Sequence, residues 1–249
     1  MTPFKALVLA GSRGGADPVA AYAGVSHKAL IVLGGETLLA RVVTALRVAG
    51  ATRVAVISSD LAVRAETARL GAEVLDEASG PSLSVLAGAE ALGTPLLVTT
   101  ADHALLEASW VQRFLADVPT DADVAALVAA RTTVEAAAPG TQRTWLKLAD
   151  GHWSGCNLFW LANTQALGVV VLWRRIEAER KQPWRMAQIL GPGMLIKYVT
   201  GRLSLRDAAV RLGRLAGVTA AIVQTPFGLA SVDVDKPADL DLVRLLVGS

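Results

Sequence analysis

Short apolar stretches alternate with amphipathic segments in the first half of this chain. Lys5–Ala10, Arg53–Ser58 and Pro95–Thr100 have the composition of buried strands. Between the first two, apolar side chains from Glu36 to Ala49 recur at helical spacing and stop at Gly50. Strands that alternate with helices favour a mostly parallel sheet covered on both faces. The sequence therefore predicts an α/β fold: a three-layer α/β/α, doubly wound sheet.

The remaining segments continue this pattern and add one hairpin. Predicted strands are 73–75, 123–130 and 220–224, and predicted helices are 61–70, 84–92, 107–115 and a closing helix from Ala238. Residues 11–26 are small and polar, which indicates a turn-rich loop. Residues 145–148 and 154–160 flank an Asp-Gly turn and predict a hairpin, so the sheet is expected to be mixed. No linker is evident, and we expect one domain over 1–249.

Composition excludes several classes of protein. Hydrophobic residues make up 53% of the 249 and charged residues 18%, which excludes a disordered chain. One cysteine and three scattered histidines argue against zinc and redox chemistry. No uncharged apolar run is long enough to span a bilayer, and the first residues lack the features of a secretion signal. The cytoplasm is the expected compartment.

Positive charge is concentrated between Trp173 and Arg214. Ten basic and three acidic residues give this segment a local charge of +7, although the net charge of the chain is +2. Pro183 and Gly191–Gly193 divide it into predicted helices. An anionic partner is expected to meet this helical basic segment.

Two cationic side chains follow the first predicted strand. The loop Leu9–Gly15 offers unobstructed backbone N–H groups and the guanidinium of Arg13, which suit a triphosphate. It is neither a Walker A loop nor a dinucleotide fingerprint, and a purely structural turn is the alternative. Lys28 could reach the same phosphates, or it could be a solvated loop lysine.

Carboxylates occur at two further positions. Asp102 follows a buried strand, where open α/β sheets bind ligands, and a hydrated Mg²⁺ would be a natural counter-ion. Capping of the next helix is the alternative. Asp233 and Asp235 alternate, so they point to opposite sides of an extended segment, and only one can face that metal. Asp235 precedes Lys236–Pro237 and could instead cap a helix.

Together these motifs resemble the MobA-like nucleotidyltransferases, in matching order from about residue 4 to residue 246. The segments that carry the resemblance are Leu9–Ala10–Gly11–Ser12–Arg13, Lys28, Gly35 with Leu38–Leu39–Ala40–Arg41–Val42, Thr99–Thr100–Ala101–Asp102–His103, Gly155–Cys156–Asn157–Leu158–Phe159 and Val232–Asp233–Val234–Asp235–Lys236–Pro237–Ala238–Asp239–Leu240.

The resemblance implies a glycosyltransferase-A-type fold that brings an NTP and Mg²⁺ to a phosphorylated acceptor. It implies phosphate binding by Leu9–Gly14, including Ser12 and Arg13, and by Lys28, and metal binding by Asp102 with Asp235 or Asp233. Asp235 is favoured because it directly precedes the Lys-Pro step. The resemblance further implies that Gly80, Pro81 and Ser82 line the base pocket and that Lys147 and Asn157 face the acceptor.

The predicted function is Mg²⁺-dependent transfer of NMP from an NTP to a sugar, polyol or lipid-related alcohol phosphate, with CTP or GTP as the favoured NTP. Pyrophosphate is the second product. The alternative is a non-catalytic nucleotide-binding module of the same fold. Low aromatic content and a confined basic patch argue against a nucleic-acid partner. Residues 173–214 could cover the acceptor, form a solvated helical face or contact a membrane peripherally; the oligomeric state stays open.

Overall fold

A computed structural model describes residues 3–11, 17–179 and 189–248. The strands are β1 (Phe4–Leu9), β2 (Val32–Leu33), β3 (Glu36–Thr37), β4 (Ala51–Ile57), β5 (Glu73–Leu75), β6 (Leu96–Thr100), β7 (Val124–Ala130), β8 (Leu146–Leu148), β9 (Gly151–Leu161) and β10 (Ala220–Thr225). The α-helices are α1 (Pro18–Ala23), α2 (Leu38–Val48), α3 (Leu61–Arg69), α4 (Pro81–Leu92), α5 (Ala108–Asp117), α6 (Arg131–Ala137), α7 (Leu167–Glu179), α8 (Pro192–Val199), α9 (Leu205–Ala216) and α10 (Pro237–Val247).

Eight strands form one mixed sheet in the order β10-β7-β9-β6-β1-β4-β5, with β8 attached to β9. All pairs are parallel except those that β9 makes with β6, β7 and β8. The predicted hairpin and the mixed, mostly parallel sheet are therefore confirmed. β1 pairs with β4 on one side and β6 on the other, so the chain changes direction across the sheet between β1 and β6.

Helices cover both faces of the sheet, which confirms the three-layer prediction. Along β1, Ala6 and Val8 belong to one apolar cluster and Leu7 to the other, because successive strand side chains point to opposite faces. The first cluster includes apolar residues of α2, α5 and α10, and the second includes residues of α4 and α7.

Two short helices were missed by the sequence interpretation. The predicted loop over 11–26 contains α1, which starts after Asp17, whose side chain accepts hydrogen bonds from Val19 and Ala20 N–H (2.8 and 3.1 Å). Helix α6 follows β7 directly and has only one buried side chain, Val134. Six or seven residues are too few to show a helical period, so these elements left no signal.

The position of α4 depends on a close approach to β1. A Cβ added to Gly88 would overlap the side chain of Leu7, which is fully buried in β1. Only glycine therefore lets α4 lie directly on the sheet at this point. Because α4 begins at Pro81, this contact also sets the position of the predicted base-pocket residues.

We expect Gly88→Ala to lower the free energy of unfolding by about 1–3 kcal/mol, because the added methyl group overpacks a closed contact. Urea denaturation would measure the change. Gly193→Ala is the matched control, because no atom lies within 4 Å of a Cβ added there and its φ is not positive. Equal stability of the two variants would contradict the proposed contact.

In the described part of the basic segment, α7, α8 and α9 contain most of the residues, and residues 200–204 form a non-helical connection between α8 and α9. Arg180, Lys181 and Arg185 lie outside the described residues. Helix α9 packs on β10 and α7, and α7 packs on α4. Across the described parts of the chain, no helix combines the length and apolarity that crossing a membrane requires.

Candidate active site

The carboxyl ends of β1, β4 and β6 are joined where the chain changes direction across the sheet. Ala101 N–H donates to Leu9 O (3.0 Å), and Ala10 N–H donates to Ile57 O (3.0 Å). Leu9, Ala10 and Gly11 therefore leave the sheet beside Asp102, which follows β6. Such switch points are where open α/β sheets bind ligands.

Lys28 is presented to this point by a short 3-10 turn, Lys28–Leu30. The Nδ1 atom of His27 accepts a hydrogen bond from Ala29 N–H (3.1 Å) and caps the turn. Burial lowers the pKa of His27, which favours the neutral ring that this acceptor role requires. The cap therefore orients the backbone from which Lys28 extends.

The ammonium group of Lys28 lies between two carboxylates. It donates to Asp102 Oδ2 in a short contact and to Asp235 Oδ1 at 3.1 Å. Burial acts to lower the pKa of Lys28, but the two carboxylates outweigh it and raise this pKa above its ordinary value. Burial likewise acts to raise the pKa of Asp102, and Lys28 outweighs it, so this carboxyl stays ionised. The three groups form a compact charged cluster.

A backbone hydrogen bond connects the segment after β10 to the residue after β6 and positions Asp235 beside Lys28. Val234 N–H donates to Asp102 O (3.0 Å). Asp239 Oδ2 accepts hydrogen bonds from Lys236 N–H (2.8 Å) and Asp235 N–H (3.2 Å) at the start of α10. The capping alternatives are therefore wrong: Asp239 caps α10, and α5 begins after Glu107 rather than at Asp102.

Asp233 belongs to a separate buried group. It accepts a short hydrogen bond from the Arg143 guanidinium and a second one from Asn157 Nδ2 (2.7 Å). Burial raises the pKa of Asp233, and Arg143 only partly offsets this effect. Both side chains of the ion pair are about nine-tenths buried. Asp233 and Asp235 thus have different partners, as the alternation predicted.

Asn157 has a backbone φ of +49°, a left-handed conformation in the middle of a strand. Gly155 pairs with Val128, and Phe159 pairs with Ala126, so three residues of β9 bulge opposite one residue of β7. Bulges that redirect side chains are common beside active sites, and asparagine tolerates this conformation better than most residues. The bulge directs the Asn157 amide toward Asp233.

The predicted base-pocket residues form the start of α4. Gly80 precedes the helix, Pro81 is its first residue, and Ser82 Oγ donates to Glu177 Oε2 of α7 (2.8 Å). On the other side, the Glu77 carboxylate lies against Gly11, where any Cβ would overlap it, and accepts hydrogen bonds from Ser59. This loop therefore adjoins both the candidate phosphate loop and the basic segment.

Some of the predicted site residues are not part of the charged cluster of Lys28, Asp102 and Asp235. Ser12, Arg13 and Gly14 lie outside the described residues. Lys147 is exposed on β8, opposite His152, and has no hydrogen bond or ion pair with the carboxylate cluster in the part of the chain that the structure describes.

Three polar side chains at this edge were missed by the sequence interpretation: Arg143, Glu77 and Glu177. Arg143 stands in a short polar stretch with no periodicity, ninety positions from Asp233, and nothing local distinguishes it. Glu77 followed a predicted strand end, which was the one available signal. Glu177 is one of the three acidic residues of the basic segment, and nothing in the sequence connects it with Ser82.

Asp102 and Asp235 have the donor chemistry that a divalent cation requires. Asp102 Oδ1 is buried and has no hydrogen-bond partner in the described part of the chain, while the Lys28 ammonium marks a cation position between the carboxylates. Within the described ranges, three or more acidic, histidine or cysteine side chains nowhere group as metal ligands. Mg²⁺ commonly takes one or two carboxylates and completes its shell with phosphates and waters, so the residues fit it.

A doubly wound sheet with two carboxylates and a lysine at its switch point is typical of α/β proteins that bind a ligand there. The sequence profile of the MobA-like NTP transferase domain matches residues 6–182, and the chain belongs to this family. It is a nucleotidyltransferase.

Solved structures share this fold. A hypothetical transferase from Thermus thermophilus is 30% identical, with a TM-score of 0.82, over 96% of this chain and 100% of that one. A nucleotidyl transferase from Methanothermobacter is 20% identical (TM-score 0.56; 98% and 96% covered). CMP:2-keto-3-deoxy-manno-octonic acid synthetase, complexed with CTP, is 17% identical (TM-score 0.55; 98% of each chain) and shares the fold. No functionally curated protein matches the chain.

Proposed function

We propose that this nucleotidyltransferase moves NMP from CTP or GTP to a phosphorylated acceptor, with Mg²⁺ held by Asp102 and Asp235. The observation that carries the proposal is the position of the Lys28 ammonium between these two carboxylates, at the point where β1 and β6 end. The acceptor is a sugar, polyol or lipid-related alcohol phosphate.

The reaction exchanges one phosphorus–oxygen bond for another. An oxygen of the acceptor phosphate attacks the α-phosphorus of the NTP and forms a new phosphoanhydride bond. The bond from the α-phosphorus to the bridging oxygen of the β-phosphate breaks, and pyrophosphate leaves with that electron pair. The acceptor phosphate is already ionised at neutral pH, so no side chain needs to remove a proton from it.

Catalysis then depends on positioning and charge neutralisation rather than on a protein nucleophile. Burial raises the pKa of the Cys156 thiol to about 12, so it stays protonated and unreactive at neutral pH. We assign Lys28 and Arg13 to the triphosphate, with the backbone N–H groups of the loop from Leu9 to Gly14. When bound, Mg²⁺ would neutralise phosphate charge and orient the triphosphate.

The second site carboxylate is assigned to Asp235 rather than Asp233. Asp233 is already engaged by Arg143 and Asn157, whereas the side chain of Asp235 is 58% exposed and shares Lys28 with Asp102. Asp233 is therefore a positioning residue in this proposal. It holds the Asn157 amide on the side of the site assigned to the acceptor.

Support for the nucleotide comes from the loop before α4. Gly80, Pro81 and Ser82 follow Glu77, whose carboxylate lies against Gly11. This proximity to the phosphate loop supports their assignment to the base. The CMP:2-keto-3-deoxy-manno-octonic acid synthetase of similar fold was solved with CTP, which supports a nucleoside triphosphate as substrate.

The test is pyrophosphate release from each of the four NTPs against a panel of phosphorylated sugars, polyols and long-chain alcohols. We expect acceptor-dependent release with CTP or GTP, which EDTA stops and added Mg²⁺ restores. Release that continues in EDTA would contradict the metal assignment. Tight NTP binding without release across the panel would favour the alternative, a non-catalytic nucleotide-binding module.

A further inference from the structure

Helix α8 has an unusual surface for a helix of a globular enzyme. None of its eight residues is buried. Four of its large apolar side chains are exposed: Leu195 (44%), Ile196 (61%), Tyr198 (47%) and Val199 (75%). Contiguous exposed apolar surface of this kind marks an interaction site more often than isolated exposed residues do.

Helix α8 directs Lys197 toward α9 and its apolar side away from α9. Lys197 Nζ pairs with Asp207 Oδ2 of α9 at 3.2 Å. Lys197 and Met194 line a groove of about 460 Å³ between α8 and α9. At 100° per residue, Leu195, Ile196 and Val199 lie on the side away from Lys197. The apolar stripe therefore faces away from the groove.

The segment that contains this stripe carries an excess of positive charge. Residues 189–216 contain five basic side chains and one acidic side chain, Asp207, which Lys197 already neutralises. Four arginines remain: Arg202, Arg206, Arg211 and Arg214. All four are exposed. Arg211 and Arg214 line the groove beside Lys197, whereas Arg202 and Arg206 lie outside it. A helix that exposes an apolar stripe in a segment of net positive charge is complementary to an interface that offers both hydrocarbon and negative charge.

The stripe lies near the edge of the sheet that carries the candidate site. Ala149 N–H donates to Leu203 O (2.8 Å), and Leu205 N–H donates to the Asp150 carboxylate (3.0 Å). Asp150 is in the turn between β8 and β9. Three residues later, Trp153 of β9 pairs with Ala130, the last residue of β7, so this turn lies at the carboxyl end of β7. β6 and β7 are both antiparallel to β9, so they run in the same direction. The carboxyl end of β7 and Asp102, which follows β6, therefore lie at the same edge of the sheet.

We propose that α8 docks on the surface of an anionic phospholipid membrane. Leu195, Ile196 and Val199 would enter the boundary between headgroups and acyl chains, and Arg202 and Arg206, which lie outside the groove, would contact lipid phosphates. A second copy of this chain is a poorer occupant, because two copies would bring two segments of the same positive charge together. Docking would hold the site edge close to a lipid-anchored acceptor, but the inference stands independently of the reaction.

The test is flotation of the full chain with vesicles of phosphatidylcholine alone or mixed with phosphatidylglycerol. We expect binding only to the anionic vesicles, weakened by added salt. The double substitution Ile196→Glu and Val199→Glu should weaken this binding at least about tenfold, because it replaces the inserting side chains with like charges to the lipid. Leu245→Glu, at an 80% exposed apolar position on α10, is the matched control and should bind as the unmodified chain does.

Three outcomes would overturn the proposal. The first is absence of binding to either vesicle. The second is equal binding by the α8 variant and the Leu245→Glu control when circular dichroism shows both to be folded. The third is analytical ultracentrifugation that shows a dimer which the α8 substitutions convert to a monomer, because the stripe would then be a self-association surface.

Discussion

Asp102→Asn should lower kcat/KM for nucleotidyl transfer by about a thousandfold, the largest effect expected of any single substitution here. Asparagine keeps the shape of the side chain but removes the charge, so the cation position between residues 102 and 235 loses half of its negative charge. A thousandfold change corresponds to about 4 kcal/mol of transition-state stabilisation. The measurement is steady-state pyrophosphate release with the NTP and acceptor that the panel identifies.

Matched asparagine variants separate the roles of the other carboxylates. Asp235→Asn should lower activity and raise the Mg²⁺ concentration needed for half-maximal rate. Asp117→Asn removes a carboxylate from an exposed pair with Arg113 on α5 and should leave activity unchanged. An Asp102→Asn enzyme within tenfold of the unmodified enzyme would refute the assignment of Asp102 to the metal.

Arg143→Met should lower the free energy of unfolding by about 3–5 kcal/mol, because it leaves the Asp233 carboxylate buried without its cation. Methionine keeps much of the apolar volume of the arginine stem, so the loss comes mainly from the unpaired charge. Urea denaturation at neutral pH would measure it. Because burial already raises the pKa of Asp233, the variant should also bind a proton there more readily.

Two further variants test this explanation. Adding Asp233→Asn to Arg143→Met should recover part of the lost stability, since the buried charge is then absent. Arg113→Met breaks the exposed pair on α5 and should change stability by less than about 1 kcal/mol. If Arg143→Met were as mild as Arg113→Met, the buried ion pair would not be the group that holds Asp233 in place.

Local sequence was sufficient for the long elements of the sheet and its helices. Strand β5 has the predicted bounds, and β1, β4, β6 and β7 were predicted within one or two residues at each end. Buried strands bounded by glycine and turn residues, and helices with an apolar face, carry their signals within ten residues. The short helices α1 and α6 lack the length for such a signal.

The position of a candidate site residue was predictable where the order of the strands determines it. Asp102 follows a central strand, and the carboxyl ends of such strands meet at the switch point of a doubly wound sheet. Lys28 follows the loop that begins at the carboxyl end of the first strand, at the same edge. The direct contact between them was not predicted: the sequence suggested a hydrated metal beside Asp102, whereas Lys28 is its partner in the structure.

The sequence by itself determined the class of fold, the order of its main elements and the family to which the chain belongs. Only the tertiary structure decided that Asp233 pairs with Arg143 and Asn157 while Asp235 shares Lys28, and that the apolar side of α8 faces outward. These outcomes depend on contacts between residues tens of positions apart and on which side of a helix packs inward. Burial and charge pairing across the fold settle such contacts, and neither is encoded in any short window of sequence.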